Sequence, residues 1–305
     1  MFRLQTLILL LPFLTLPVFA QVGNLRLVRE NSERRLAEIV AHCRGPFGIV
    51  AVDLTRGERF DINESLVFPQ ASAIKVTILM EVFKQASEGK FNLSDRRVVE
   101  HGKTVDGGVL SSFADKGSQL SIYDLSVLMI VLSDNSATNM LIDLVGMDNV
   151  NRTLSSIGLK NTKLQRKMMD IEASARGDEN LSTPIEAARI MQLLYTGQFV
   201  NQEISEKILG VLKIPKETAG KIQSVLPADV QVAYKAGEIL PAVATEWAVV
   251  YLKGSPYVLV MMGNYGLEED AGTAMKEVSK VVYDYFWRMG RASPHGTYND
   301  PSLWK

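Results

Sequence analysis

One cysteine, Cys43, and three histidines, His42, His101 and His295, occur in 305 residues. A lone thiol excludes an intramolecular disulfide, and Cys43 is expected to be a small buried apolar residue. His42 and Cys43 are adjacent, hence on different faces of a helix, and no histidine pair has ligand spacing, so no metal centre is expected. No G-x-S-x-G elbow sets a serine at a strand-to-helix turn, which argues against a Ser-His-Asp hydrolase. The phosphate-cradling pattern G-x-x-x-x-G-K-[ST] is missing as well. Charge of one sign is also lacking: 33 basic side chains against 34 acidic ones leave a net charge of −1 and suggest neither a nucleic acid nor a membrane surface as partner. There is no internal repeat, and no segment after the first twenty residues looks transmembrane.

What is present begins with a secretory signature. Arg3 precedes an apolar run from Leu7 to Phe19, and Val18-Phe19-Ala20 forms a small-residue cleavage site before Gln21. A retained anchor is the rival reading, but the run is short for a span and Pro12 and Pro17 interrupt it. The mature chain is therefore expected in a periplasm or outside the cell.

A helical stripe runs from Leu25 to about Cys43, and strands are predicted over Phe47–Leu54 and Glu58–Asn63 about a hairpin at Thr55-Arg56-Gly57. Helices follow: one opening at Ser72, one capped at Ser121, one from Ser136 to Val145, one from Pro184 to Leu194, and more to Leu212. Between them, Leu164 to Thr183 shows no clean period, and irregular loops of that length are commonly functional. The last third predicts strands at Val230–Ala236, Trp247–Leu252 and Tyr257–Asn264 and a closing helix at Ala271–Met289. Strands at both ends with helices between them predict an α/β, two-lobed fold: one antiparallel sheet built from both termini and flanked by helices, with an all-helical lobe inserted. Residues 1–20 would be the signal and 21–305 one domain, with a sheet lobe at about 21–65 and 213–290, a helical lobe at about 66–212 and a polar tail from 291.

The chemistry starts at Phe68-Pro69-Gln70-Ala71-Ser72-Ala73-Ile74-Lys75. Pro69 ends an extended approach and an apolar helix begins, with Ser72 in its first turn. Three residues apart on a helix, Ser72 and Lys75 share a face. A serine hydroxyl needs a base, and an amine among Ile74, Val76 and Ile78 is driven toward its neutral form by desolvation. The pair alone is weak, since Ser87 and Lys90 have the same spacing, and a snorkelling lysine beside an N-terminal hydroxyl gives the same pattern.

Two further motifs change the weight. Ser133-Asp134-Asn135 forms a polar corner between apolar helices, and Lys235-Ala236-Gly237 stands at a predicted strand end, 61 and 102 residues further along in turn. In that order the three resemble S-x-x-K, S-D-N and K-T-G of the class A serine β-lactamases and their penicillin-binding relatives. The resemblance spans nearly the whole chain after the signal. It implies Ser72 as the acylated nucleophile, Lys75 as its proton acceptor or relay, and Ser133 as the proton donor to the leaving nitrogen. It further implies Asn135 holding the substrate's side-chain amide and Lys235 near the substrate carboxylate, with Ala236 and Gly237 beside the substrate. Backbone N–H groups of Ser72 and Glu238 would form the oxyanion hole.

The departures carry as much information. Leu164-Gln165-Arg166-Lys167-Met168 resembles the start of the family's omega loop, where a glutamate two residues after the arginine activates the deacylating water. Here Met168 stands there, and a thioether cannot accept a proton. Asp170, Glu172 or Glu179 of the same loop are the candidate substitutes, and the rival reading of each is a surface charge or a partner of Arg166. Ala236 replaces a hydroxyl residue, and Ala244 or Thr245 occupies the region of an arginine often found in the family. Loss of one hydrogen bond to a charged group is worth roughly 1.5–3 kcal/mol, so recognition of ordinary penicillins should weaken. The expected activity is hydrolysis of β-lactams, without a cofactor or metal, by a monomer whose partner is a small β-lactam or cell-wall-like amide. The alternatives are a penicillin-binding amidase or peptidase acting on a non-antibiotic substrate, and a module that is acylated by β-lactams and deacylates slowly.

Overall fold

A computed structural model describes residues 17–113, 117–217, 220–266, 268–293 and 295–298. Most of the expected signal, residues 1–16, lies outside the described residues, and Pro17–Ala20 begin the first helix. In chain order, α1 (Pro17–Ala41) leads to the hairpin of β1 (Phe47–Asp53) and β2 (Arg59–Ile62). The two-residue β3 (Phe68–Pro69) enters a short 3-10 turn, Ala71–Ile74, that runs straight into α2 (Lys75–Ser87). A ribbon of β4 (Arg96–Val98) and β5 (Gln119–Ser121) precedes α3 (Ile122–Val131), α4 (Asn135–Val145) and α5 (Met147–Ser156). Then come α6 (Ile171–Ala175), β6 (Leu181–Ser182), α7 (Pro184–Tyr195) and α8 (Gln202–Lys213). Finally β7 (Val232–Ile239), β8 (Val243–Val250), β9 (Tyr257–Gly263) and α9 (Glu268–Arg291) close the chain.

Five strands form one antiparallel sheet in the order β2-β1-β9-β8-β7, so the two ends of the chain meet where β1 pairs with β9. Every residue of β1, β8 and β9 is buried, as it must be in a sheet covered on both faces. Side chains alternate between two cores. Val50, Trp247, Val249 and Val260 join the core with α2, α4 and α7, whereas Ile49, Tyr234, Ala248 and Leu259 join a second core against α1 and α9. The helical layer and edge strand β7 thus face each other across a seam, and the 3-10 turn before α2 lies against β7.

Several expected boundaries move. The strand expected at Val230–Ala236 runs to Ile239, because residues 236–239 pair with 243–246 and the break falls at Leu240-Pro241-Ala242 instead of Gly237. Trp247–Leu252 becomes Val243–Val250 for the same reason. The irregular loop contains α6 and β6, and β6 pairs with β3. Cys43 is only partly buried, since α1 ends before it, at Ala41. The start of the polar tail is tied down by an Ala292–Tyr298 bridge and an edge contact of Tyr298 on Trp287 at 5.3 Å. Among the described residues no helix is long and apolar enough to cross a membrane.

Candidate active site

Ser72 is presented by a braced bend. Gln70 is fully buried; its N–H donates to Asn180 O at 2.8 Å and its Nε2 to Phe68 O at 2.8 Å, while its Oε1 accepts from Trp247 Nε1 at 3.0 Å. Ala71 follows at φ 46°, a left-handed conformation that costs a non-glycine residue of order 1 kcal/mol and needs such bracing. Ser72 therefore sits in the 3-10 turn, one step before the α-helix in which it was expected. Gly237 of β7 passes directly beneath. A Cβ there would lie 2.5 Å from Ala73 N and Gln70 O and 2.7 Å from Ser72 N, so only glycine permits this approach.

Lys75, in the first turn of α2, is fully buried. Its Nζ lies 2.7 Å from Ser133 O, 2.8 Å from Asn135 Oδ1 and 3.1 Å from Ser133 Oγ. The corner that supplies these acceptors is built by Asp134, also fully buried. Its Oδ1 caps α4 through Ala137 N at 2.8 Å and its Oδ2 accepts from Val109 N and Leu110 N at 2.7 and 2.9 Å. Ser133, at φ 54°, is thereby turned into the seam. Asn135 is held at both ends, its Nδ2 donating to Asp106 O at 2.8 Å.

From the sheet side, Lys235 Nζ donates to the same Ser133 Oγ at 3.1 Å and to Ala236 O at 2.6 Å. One hydroxyl thus lies between two buried amines. Burial pushes Lys75 well below the usual lysine range; the charge of Lys235 adds to this and Asp134 opposes it. Burial, with Lys216 adding to it, lowers Lys235 to about 7 against the pull of Glu246 and Glu238. When neutral, Lys75 can still donate to Ser133 O and Asn135 Oδ1, which leaves its one lone pair to accept a hydroxyl proton.

Burial has a consequence for stability. Lys235 titrates near 7 when folded and near 10.5 when unfolded, so between those values only the unfolded chain holds the proton, and stability rises with pH. Lys216, lowered to about 8, acts in the same direction. Below about pH 7 the raised Glu246 opposes this, because there the folded state holds the extra proton. We therefore expect the unfolding midpoint to climb from pH 7 to pH 9 in thermal scans, and Lys235→Met to flatten that climb.

Ser72 lines two adjoining parts of the seam. One, of about 290 Å³, also meets Asn135, Met168, Asp170 and Glu238; the other, of about 400 Å³, meets Ser133, Lys235, Ala236, Gly237 and Glu238. The structure thus brings together Ser72, Lys75, Ser133, Asn135, Lys235, Ala236, Gly237 and Glu238. Of the two loop carboxylates, Asp170 lines the cavity but its Oδ1 caps α6 through Ala173 N at 2.9 Å, while Glu172 is exposed and outside the lining. Glu179 pairs with Arg166 at 2.9 Å. Met168 is buried, and Asn139 clamps its backbone, Oδ1 accepting from Met168 N at 2.8 Å and Nδ2 donating to Met168 O at 3.1 Å.

Sequence reasoning missed Gln70, Asn139, Lys216 and Glu246. Asn139 lies one helical turn after Asn135, a spacing that hinted at a shared face. The others had no local signal. The region assigned to Ala244 or Thr245 also shifts: Thr245 lies opposite Gly237, its Oγ1 donating to Gln70 O at 3.0 Å, and Glu246 lies opposite Ala236.

A helical layer facing the edge of an antiparallel sheet, with serine and lysine side chains in the seam, defines the class of the serine β-lactamases and penicillin-binding proteins. The model of the beta-lactamase enzyme family matches residues 31–286, and the chain belongs to that family. The imipenem-hydrolyzing beta-lactamase of Enterobacter cloacae is 24% identical over 250 residues, covering 79% of this chain and 84% of its own. Among solved structures, a beta-lactamase from Sphaerobacter thermophilus matches at 27% identity and TM-score 0.75, covering 83% of this chain and 96% of its own. PBP-A matches at 25% identity and TM-score 0.76, covering 84% and 96%.

Proposed function

We propose that this chain is a secreted serine hydrolase that opens β-lactam amides through an acyl-enzyme on Ser72. The observation that carries the reading is the Ser133 hydroxyl, which lies 3.1 Å from each of two buried amines, Lys75 and Lys235, on the wall that Ser72 also lines. Neutral Lys75 accepts the Ser72 proton as the hydroxyl attacks the amide carbon. Ser133 then passes a proton to the departing ring nitrogen and is resupplied from its two lysines. The N–H groups of Ser72 and Glu238, at the start of the helical turn and on the sheet edge, hold the developing oxyanion. Residues 1–20 direct export and are removed before Gln21.

Met168 shapes the second half of the cycle. Where a water-activating carboxylate is needed, a thioether stands on a backbone clamped by Asn139, so acylation runs ahead of deacylation. A chromogenic cephalosporin should therefore give a burst equal to the enzyme concentration, then a slow phase, and Ser72→Ala should abolish both. A linear trace without a burst would contradict rate-limiting deacylation, and an undiminished burst in Ser72→Ala would remove the nucleophile.

A further inference from the structure

The 400 Å³ part of the seam holds a carboxylate to which the acyl-transfer scheme gives no role. The β7–β8 register sets Glu246 opposite Ala236, one residue beyond Lys235. Directly opposed side chains on an antiparallel pair share a face, with Cβ atoms about 4.5–5.5 Å apart. Ala236 offers no polar atom, so the polar group presented at this rung is the Glu246 carboxylate. It is fully buried: Oε2 accepts from Ile222 N at 3.3 Å, and Oε1 has no hydrogen-bond partner among the described residues. The chain makes room for it at Gly220, where a Cβ would lie 2.1 Å from Oε1 and 2.6 Å from the Tyr234 ring.

The charge of the same cavity follows from this. Lys216, Lys221 and Lys235 line it, and so do Glu217, Glu238 and Glu246. Lys221 is paired with Glu238 at 3.0 Å, and Lys216 spends hydrogen bonds on Leu212 O and Ile214 O while its Nζ rests 3.9 Å from the Tyr234 ring centroid. Above about pH 7, to which burial raises the Glu246 carboxyl, the amine facing Ser133 is therefore backed by a buried anion. An incoming carboxylate would gain little from Lys235 and would be pressed toward Glu246 in a space of low dielectric, where like charges are costly.

We propose that Glu246 is a specificity-determining residue that makes the subsite beside Lys235 and Ala236 select acyl donors bearing a neutral amide there over those bearing a carboxylate. The proposal rests on the acyl-transfer reading of Ser72 and names the substrate class of that site. A neutral amide brings N–H donors and no charge, and so avoids the repulsion that a carboxylate meets.

The test separates the two readings by measuring binding without chemistry. In a Ser72→Ala background, the dissociation constants of benzylpenicillin and of its carboxamide, which differ only at this group, are measured by calorimetric titration at about pH 8, where Glu246 is ionised. The carboxamide is expected to bind more tightly, and adding Glu246→Gln should move the ratio toward the carboxylate by about tenfold. Glu246→Ala serves as the second variant, and thermal unfolding reports whether each variant is folded. A ratio unchanged in both variants, a preference for the carboxylate in the parent, or no saturable binding of either compound would overturn the proposal. Absence of labelling on Ser72 in the wild-type chain would instead remove the acyl-enzyme reading and leave the binding ratio standing on its own.

Discussion

Lys75→Met is expected to slow acylation of Ser72 by about 10²–10⁴-fold, the usual range for removing a positioned general base. Methionine matches the length of the buried side chain but cannot take a proton. Lys235 does not replace it, since its Nζ is held by Ser133 Oγ and Ala236 O on the sheet side. Folding should suffer less than activity. Ser133 O and Asn135 Oδ1 lose their donor, at about 1–3 kcal/mol for each buried acceptor left unpaired, while the cost of burying an amine disappears. Stopped-flow acylation with a chromogenic cephalosporin, alongside a thermal scan, measures both quantities. A variant that acylates within a few-fold of wild type would transfer the base role to another group.

Met168→Glu should act on the other half-reaction, raising the slow phase by about 10²-fold or more, the scale on which a placed base assists attack by water. Met168 lines the cavity with Ser72, and the Asn139 clamp grips backbone atoms, so a new side chain leaves the clamp intact. Of the loop carboxylates, Asp170 lines the cavity with one oxygen, Oδ1, spent on the helix cap, and Glu172 faces solvent. The burst amplitude should fall as deacylation overtakes acylation. No change in the slow phase would show that residue 168 does not direct its side chain at the ester.

What could be read from the sequence is what lies within short stretches. Ser72 with Lys75, and Ser133 with Asp134 and Asn135, owe their mutual geometry to a helical turn and a capped corner, both of which have local residue signatures. The strand segments at both ends of the chain, with helices between them, gave the sheet and its assembly from both termini. Gly237 misled because it marks a close approach to Ser72 N, and the chain turns only at Pro241. Glu246 could not be placed at all, since which residue faces Ala236 depends on the hairpin's register and not on nearby residues. Gln70 is equally silent, and Asn139 offers only its spacing from Asn135, because the bonds they make run to Trp247 and to Met168, far along the chain.

The most direct measurement is the intact mass of the protein during exposure to benzylpenicillin, followed by digestion to locate the adduct. The expected record is a gain of one intact penicillin on the peptide carrying Ser72, persisting after free drug is removed. An unmodified mass throughout, or an adduct on any other residue, would contradict acylation at the meeting point of Lys75, Ser133 and Lys235.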